Sequence, residues 1–168
     1  MTGQKAGETM RKQGSLLVAI TAACVTLFAA CVPTTPTVAP VDCTARGERV
    51  DLRGCDLRNA DLESANLESA NLTGSNLTGS YLSGAKLTGA NLTRANLTGA
   101  YLYFSDLTGA NLTGANLTNV NLYNTNLYSA NLTSANLTGA DLTGADLRYA
   151  RWSNTTCPNG VVQSTPCA

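Results

Sequence analysis

The sequence predicts an all-β solenoid, a chain wound into short rungs and corners around an axis filled with leucine. Three periodic features carry this expectation. Leucine occupies every fifth position from Leu52 to Leu147, twenty times in succession, and Trp152 takes the twenty-first place. Two residues before each leucine stands a small residue: thirteen Ala, three Ser, two Val, one Cys and one Thr. Two residues after it, seventeen of twenty positions are Gly, Asn or Ser.

A period of five excludes the simpler folds. In an α-helix five residues turn the chain by about 140° beyond a full turn, so the leucines scatter around the cylinder and no apolar face forms. A continuous strand fails because side chains alternate, and an odd repeat sends successive leucines to opposite faces. The small residue and its leucine are two apart, so a short extended piece points both inward. Three steps separate that leucine from the next small residue, so a bend must intervene in every repeat. Gly, Asn and Ser at that place tolerate the backbone a corner needs. Turns of one hand then close into a solenoid whose rungs pair through the backbone.

These repeats resemble the pentapeptide repeat family, whose unit is written A(D/N)LXX, and the resemblance runs from Val50 to about Ser153. It implies a right-handed quadrilateral β-helix with four pentapeptides per coil. About five coils then make a rod roughly 24 Å long. Some members of the family mimic DNA and bind DNA gyrase, which sets an alternative function. Mimicry needs an acidic rod, whereas beyond Cys31 this chain has ten Asp/Glu against eight Lys/Arg, a net charge near −2.

The flanks divide into four segments. In residues 1–30, Lys5, Arg11 and Lys12 precede an apolar stretch from Leu16 to Ala30, the pattern of a secretory signal. Its ending, Leu27-Phe28-Ala29-Ala30-Cys31, resembles a bacterial lipobox, which makes Cys31 the expected lipidation site; Phe28 departs from the usual aliphatic residue. Plain secretion and an uncleaved anchor are the alternatives. Residues 31–41 hold three prolines among threonines and read as an extended tether. Residues 42–50 and 154–168 read as caps on the 50–153 repeats, each cap region bringing cysteines: Cys43 and Cys55, then Cys157 and Cys167. Four cysteines allow three connectivities. The repeats between hold the two pairs apart and favour Cys43–Cys55 and Cys157–Cys167, while their spacings are not those of a zinc site. Open coil ends can pair with another chain, giving an end-to-end dimer.

Composition narrows the chemistry. Histidine is absent, formal charge is zero overall, and no paired-carboxylate site, calcium cage, activated nucleophile or phosphate loop is present. No enzyme activity, cofactor, metal or nucleic-acid partner is expected. In the four-sided register, residues twenty apart stack. Two faces then show columns of Asn71, Asn91, Asn111 and Asn131, and of Thr73, Thr93, Thr113 and Thr133, repeated on the neighbouring face by Asn76 and Thr78 with their successors. Such columns suit hydrogen bonds running along the ladder. They also resemble ice-binding lattices, a third reading. The Asn-Leu-Thr triplets match a glycosylation sequon, discounted inside rigid ladders. Lys86 and Asp106 are expected to stack as an exposed ion pair. The third face breaks the monotony with Tyr81, Tyr101, Tyr103 and Tyr123, Phe104 at its corner, Tyr128 on the adjoining face near it and Tyr149 towards the C-terminus. This face is the candidate contact surface for a protein or a glycan, against the alternative that paired aromatics only protect the ladder.

Overall fold

The computed structural model describes residues 41–167; the expected signal (1–30), Cys31 and all but the last residue of the tether lie outside them. Rungs pair in parallel with their counterparts twenty residues on, from Asp51 with Asn71 to Asn136 with Thr156. Four pentapeptides therefore complete each period. All twenty corner residues, from Gly54 to Tyr149, have φ between 51° and 70°. The N–H of the residue after each corner donates to the leucine carbonyl three residues back, as Cys55 does to Leu52 at 3.2 Å. Positive φ at the third residue and this closing bond define a type II β-turn.

Backbone accounting explains why the unit is five residues long. In the repeat at 75–79, the N–H of Ser75 closes its turn on Leu72. The N–H of Asn76 reaches back to Cys55, and those of Leu77 and Gly79 reach forward to Asn96 and Thr98. Only the fifth donor, Thr78, lacks a backbone acceptor. It donates to Oδ1 of Asn76, two residues earlier, at 3.2 Å. That bond recurs at every one of the seventeen repeats with Asn or Asp before the leucine, from Arg53 on Asp51 to Arg148 on Asp146. The (D/N) position is thus a structural acceptor.

The expected hydrogen bonding along the Asn and Thr columns is corrected here. Threonine hydroxyls such as Thr78 and Thr98 donate within their own repeat to Asn76 and Asn96, both at 2.7 Å. Among the described residues one bond between rungs joins the two columns, from Nδ2 of Asn136 to Oγ1 of Thr118. The acceptor two residues away on the same rung is pre-positioned by the backbone, so it wins.

Inside, the leucines from Leu52 to Leu137 are buried, with the small residues packed between them. Polar residues in the small-residue slot are satisfied locally: Ser75, Ser80 and Ser105 donate to the leucine carbonyl three residues back. Thr125 and Thr155 reach Leu102 and Leu132 on the previous coil. Burying one leucine contributes about 1.5–3 kcal/mol, so the axis is the main apolar driving force.

The two ends are closed differently. Cys43 and Cys55 are bonded, with Cα atoms 5.5 Å apart and Cys55 buried, and Arg49 N–H donates to Glu68. At the other end Arg151–Ser153 and Thr156–Pro158 continue the ladder over two faces. Strand β1 (Thr155–Thr156) pairs antiparallel with β2 (Val162–Gln163), and Cys157 is bonded to Cys167. Trp152 in the leucine slot is half-buried against the core, as a plug. The other two faces have no rung above Leu142 and Leu147, which are only partly buried.

Aspartates that serve as acceptors are acidified by the bonds they accept. Asp146 is lowered to about 2, foremost by its hydrogen bond from Arg148, and Asp51, Asp56 and Asp141 are lowered from 3.8 by side-chain bonds from Arg53, Arg58 and Thr143. A depressed native pKa means the stabilisation is present above the unfolded value and is lost as pH falls through the native one. The thermal midpoint should therefore hold down to about pH 4 and drop between about pH 4 and pH 2. Circular dichroism melts across that range check this; a midpoint that rises on acidification contradicts it.

Candidate functional site

The third face places its aromatic side chains as the four-sided register requires. Tyr81 and Tyr101 bridge on adjacent rungs, and their rings stack 5.3 Å apart at an interplanar angle of 5°. Phe104, on the corner, meets Tyr103 and Tyr123 edge-on at 6.0 and 5.8 Å. These five rings occupy neighbouring rungs of one face and its corner. Phe104 is 61% exposed, and the rings of Tyr81, Tyr101 and Tyr123 are also exposed.

The ring of Tyr128 meets none of these five, although the sequence places it on the adjoining face near Phe104. The ring partner of Tyr128 is Tyr149, 5.2 Å away, and the Arg148 guanidinium lies 5.8 Å from the Tyr128 centroid. A corner residue twenty-one positions on lies one rung up and one place along, which is why Tyr149 covers Tyr128. Arg148 is held by a 2.7 Å ion pair to Asp146. Two further pairs, Arg53–Asp51 and Arg58–Asp56, are also within single rungs and exposed, a geometry worth little to stability.

The expected Lys86–Asp106 ion pair does not form, although the two residues bridge. The Asp106 carboxylate instead accepts from the N–H and hydroxyl of Thr108 at 2.9 and 2.6 Å. Burial pushes the Asp106 carboxyl up, but bonds from Thr108 and Thr88 outweigh it and hold it below the usual range. Among the described residues no cluster of His, Cys, Asp or Glu is placed to hold a metal.

Residues 48–84, 75–114 and 110–148 match the family of pentapeptide repeats, in eight copies. The chain belongs to the pentapeptide repeat family. Solved pentapeptide repeat proteins are similar to it over part of its length. One from the thylakoid lumen of Arabidopsis thaliana is 41% identical, over 57% of this chain and 70% of that one, with a TM-score of 0.48. HetL, involved in heterocyst differentiation regulation in the cyanobacterium Nostoc, is 34% identical over 70% and 67%, with a TM-score of 0.31. Rfr23 from the cyanobacterium Cyanothece is 42% identical over 54% and 58%, with a TM-score of 0.37. No curated protein sequence matches at a significant level.

Against the pentapeptide repeat pattern, this chain departs in two ways on the aromatic side of the rod. Tyr81, Lys86 and Tyr101 replace the Asn/Asp acceptor, so the N–H groups of Ser83, Thr88 and Tyr103 cannot close in the usual manner. The Ser83 hydroxyl is buried without a partner. The signal for this was present in the sequence, as the three absent carboxamides, but their acceptor role emerged only with the hydrogen bonds. The second departure is at the corners. Phe104 (φ 59°) and Tyr149 (φ 61°) hold bulky rings in the left-handed region, where Gly, Asn and Ser stand almost everywhere else.

Left-handed backbone costs an ordinary residue about 1–2 kcal/mol. Replacing Phe104 with Gly should therefore raise stability by about 1 kcal/mol, less whatever the edge-on packing against Tyr103 and Tyr123 contributes. Chemical denaturation of the two proteins measures the difference, and a clear destabilisation would show that the ring is held for packing.

Proposed function

We propose that this pentapeptide repeat protein is a non-enzymatic scaffold that presents a rigid surface to the cell envelope or exterior, binding a protein or glycan through its aromatic face. One observation carries the reading: Phe104 keeps a large, mostly exposed ring on a left-handed corner, where glycine would serve the fold better. Backbone strain retained beneath an exposed aromatic group points to use of that group, since rigid aromatics supply contact area with little entropy to lose. Tyr81, Tyr101, Tyr103 and Tyr123 complete the surface, with Tyr128 and Tyr149 as a second, smaller contact.

In this reading residues 1–30 direct export, Cys31 carries a lipid and 31–41 tether the rod clear of a bilayer. Residues 42–50 and 154–168 cap a right-handed helix of about five coils spanning 50–153. Lys5, Arg11 and Lys12 ahead of an apolar stretch support the export step. Gyrase-directed DNA mimicry fits less well, because the outward positions of the middle coils are almost uncharged. Lattice binding by the Asn/Thr faces is also disfavoured, since many of the threonine hydroxyls already donate to their own asparagines.

Changing Tyr81, Tyr101, Tyr103 and Tyr123 together to Ser should leave the circular dichroism spectrum intact and abolish capture of envelope components. Capture that survives the change refutes the aromatic face as contact surface. Metabolic labelling with a radioactive fatty acid should mark the wild-type chain and not Cys31→Ser; an unlabelled wild type removes the anchor.

A further inference from the structure

We propose that the third face holds a site for a neutral acetamido sugar chain, centred on Ser83 between the Tyr81–Tyr101 stack and the Phe104 corner. The inference rests on the aromatic face being the contact surface and names what it contacts.

The acceptor two residues before each free N–H is present at seventeen repeats and absent at three. Those three are neighbours: Tyr81 and Tyr101 on adjacent rungs, and Lys86 one face on from Tyr81. The N–H groups of Ser83 and Tyr103 are thus left open on adjacent rungs of this face, and that of Thr88 on the next face. Ser83 is only 9% exposed and its Oγ has no partner. A hydroxyl this buried is disfavoured without a partner and calls for a group that hydrogen-bonds it. Tyr81 and Tyr101 are exposed, and exposed side chains change rotamer on the picosecond-to-nanosecond scale.

Charge and spacing narrow the ligand. Asp61 and Glu63 lie on the rung below Tyr81 and Ser83, which disfavours an anion and selects a neutral carbonyl or hydroxyl oxygen. Donors on adjacent rungs are about 4.8 Å apart along the rod. Same-side carbonyls of an extended peptide are ~6.7 Å apart, so a strand laid along the rod would meet one donor and miss the next. A compact acetamido group suits donors at that spacing better than a peptide. The Tyr101 ring stacks on Tyr81 on one side; on the other its neighbour is the shorter Asn121, leaving a ring face open for the C–H face of a sugar. The Asn121 carboxamide oxygen accepts from Tyr123 N–H, which leaves its Nδ2 to donate.

The test is calorimetric titration of the full-length chain in detergent with chitotetraose and with cellotetraose, which lacks the acetamido groups. Chitotetraose should bind, and cellotetraose at least about tenfold more weakly. The double variant Tyr81→Asn/Tyr101→Asn restores the acceptors for Ser83 and Tyr103; it should fold with an unchanged or higher melting temperature and lose binding. Ser83→Ala, which keeps the rings, should weaken binding about fivefold. Equal binding of both sugars overturns the donor site while leaving the aromatic face as a contact surface. Absence of binding by either overturns the sugar, and the Tyr→Ser capture comparison then judges the contact surface alone. Full affinity in the double variant, or capture of a protein that chitotetraose does not displace, likewise overturns it.

Discussion

Each pentapeptide has five backbone N–H groups, and in the interior coils four of them find carbonyls in the turn or on adjacent coils. The fifth ends on the side-chain oxygen of Asn or Asp in the same repeat. The rest of the rod depends on that bond. Without it, each repeat would leave one donor open on the outer face, twenty times over, and buried or half-buried open donors are costly. With it, the corner, the inward leucine and the ladder are mutually consistent, and a chain with few charges and no helix among its described residues reaches a paired backbone. The leucine axis supplies the driving force, but the carboxamide makes its geometry tolerable.

Outer positions therefore divide into two kinds. The residue before the leucine is constrained, because it must accept. The residue after the leucine is free, because its N–H asks only that its neighbour accept and its side chain points to solvent. Thr, Arg, Glu and Tyr all appear there. Aromatic residues at 103, 123 and 128 use that freedom and cost the ladder nothing. Tyr81 and Tyr101 do not: they occupy the constrained position, and their cost is visible in the open donors at Ser83 and Tyr103. Phe104 and Tyr149 occupy a second constrained position, the left-handed corner. Four of the exposed rings therefore stand where the fold resists them.

Much of the fold was legible from residue order alone. An odd period, small–x–Leu spacing and corner residues leave few alternatives; the four pentapeptides per coil that fix which side chains stack came from the family resemblance. The aromatic face was legible in outline, since Tyr81 above Tyr101 follows from a spacing of twenty. Finer features were not. Lys86 and Asp106 stack as expected, but the carboxylate is bonded by Thr108 and Thr88 and makes no ion pair with Lys86. The Asn and Thr columns bond within rungs because a two-residue separation along the strand fixes the acceptor more tightly than a neighbouring coil does. A spacing of twenty-one sets Tyr149 one rung above Tyr128 and one place along, but the ring contact itself also depends on rotamers. At the ends, where the period stops, cysteines marked the caps without telling which faces they would cover.

Pairing at a distance of twenty residues also limits how such a chain can change length. Losing or gaining twenty residues removes or adds a whole period and leaves every later side chain on its face. A change of five keeps each repeat internally sound yet turns everything beyond it by a quarter of the circumference. Tyr123 would then no longer share a side with Tyr103, and the C-terminal hairpin would close different faces. Local stability cannot detect such an error. The surface can, so the length of this protein is quantised by what its faces display and not by what its core can hold.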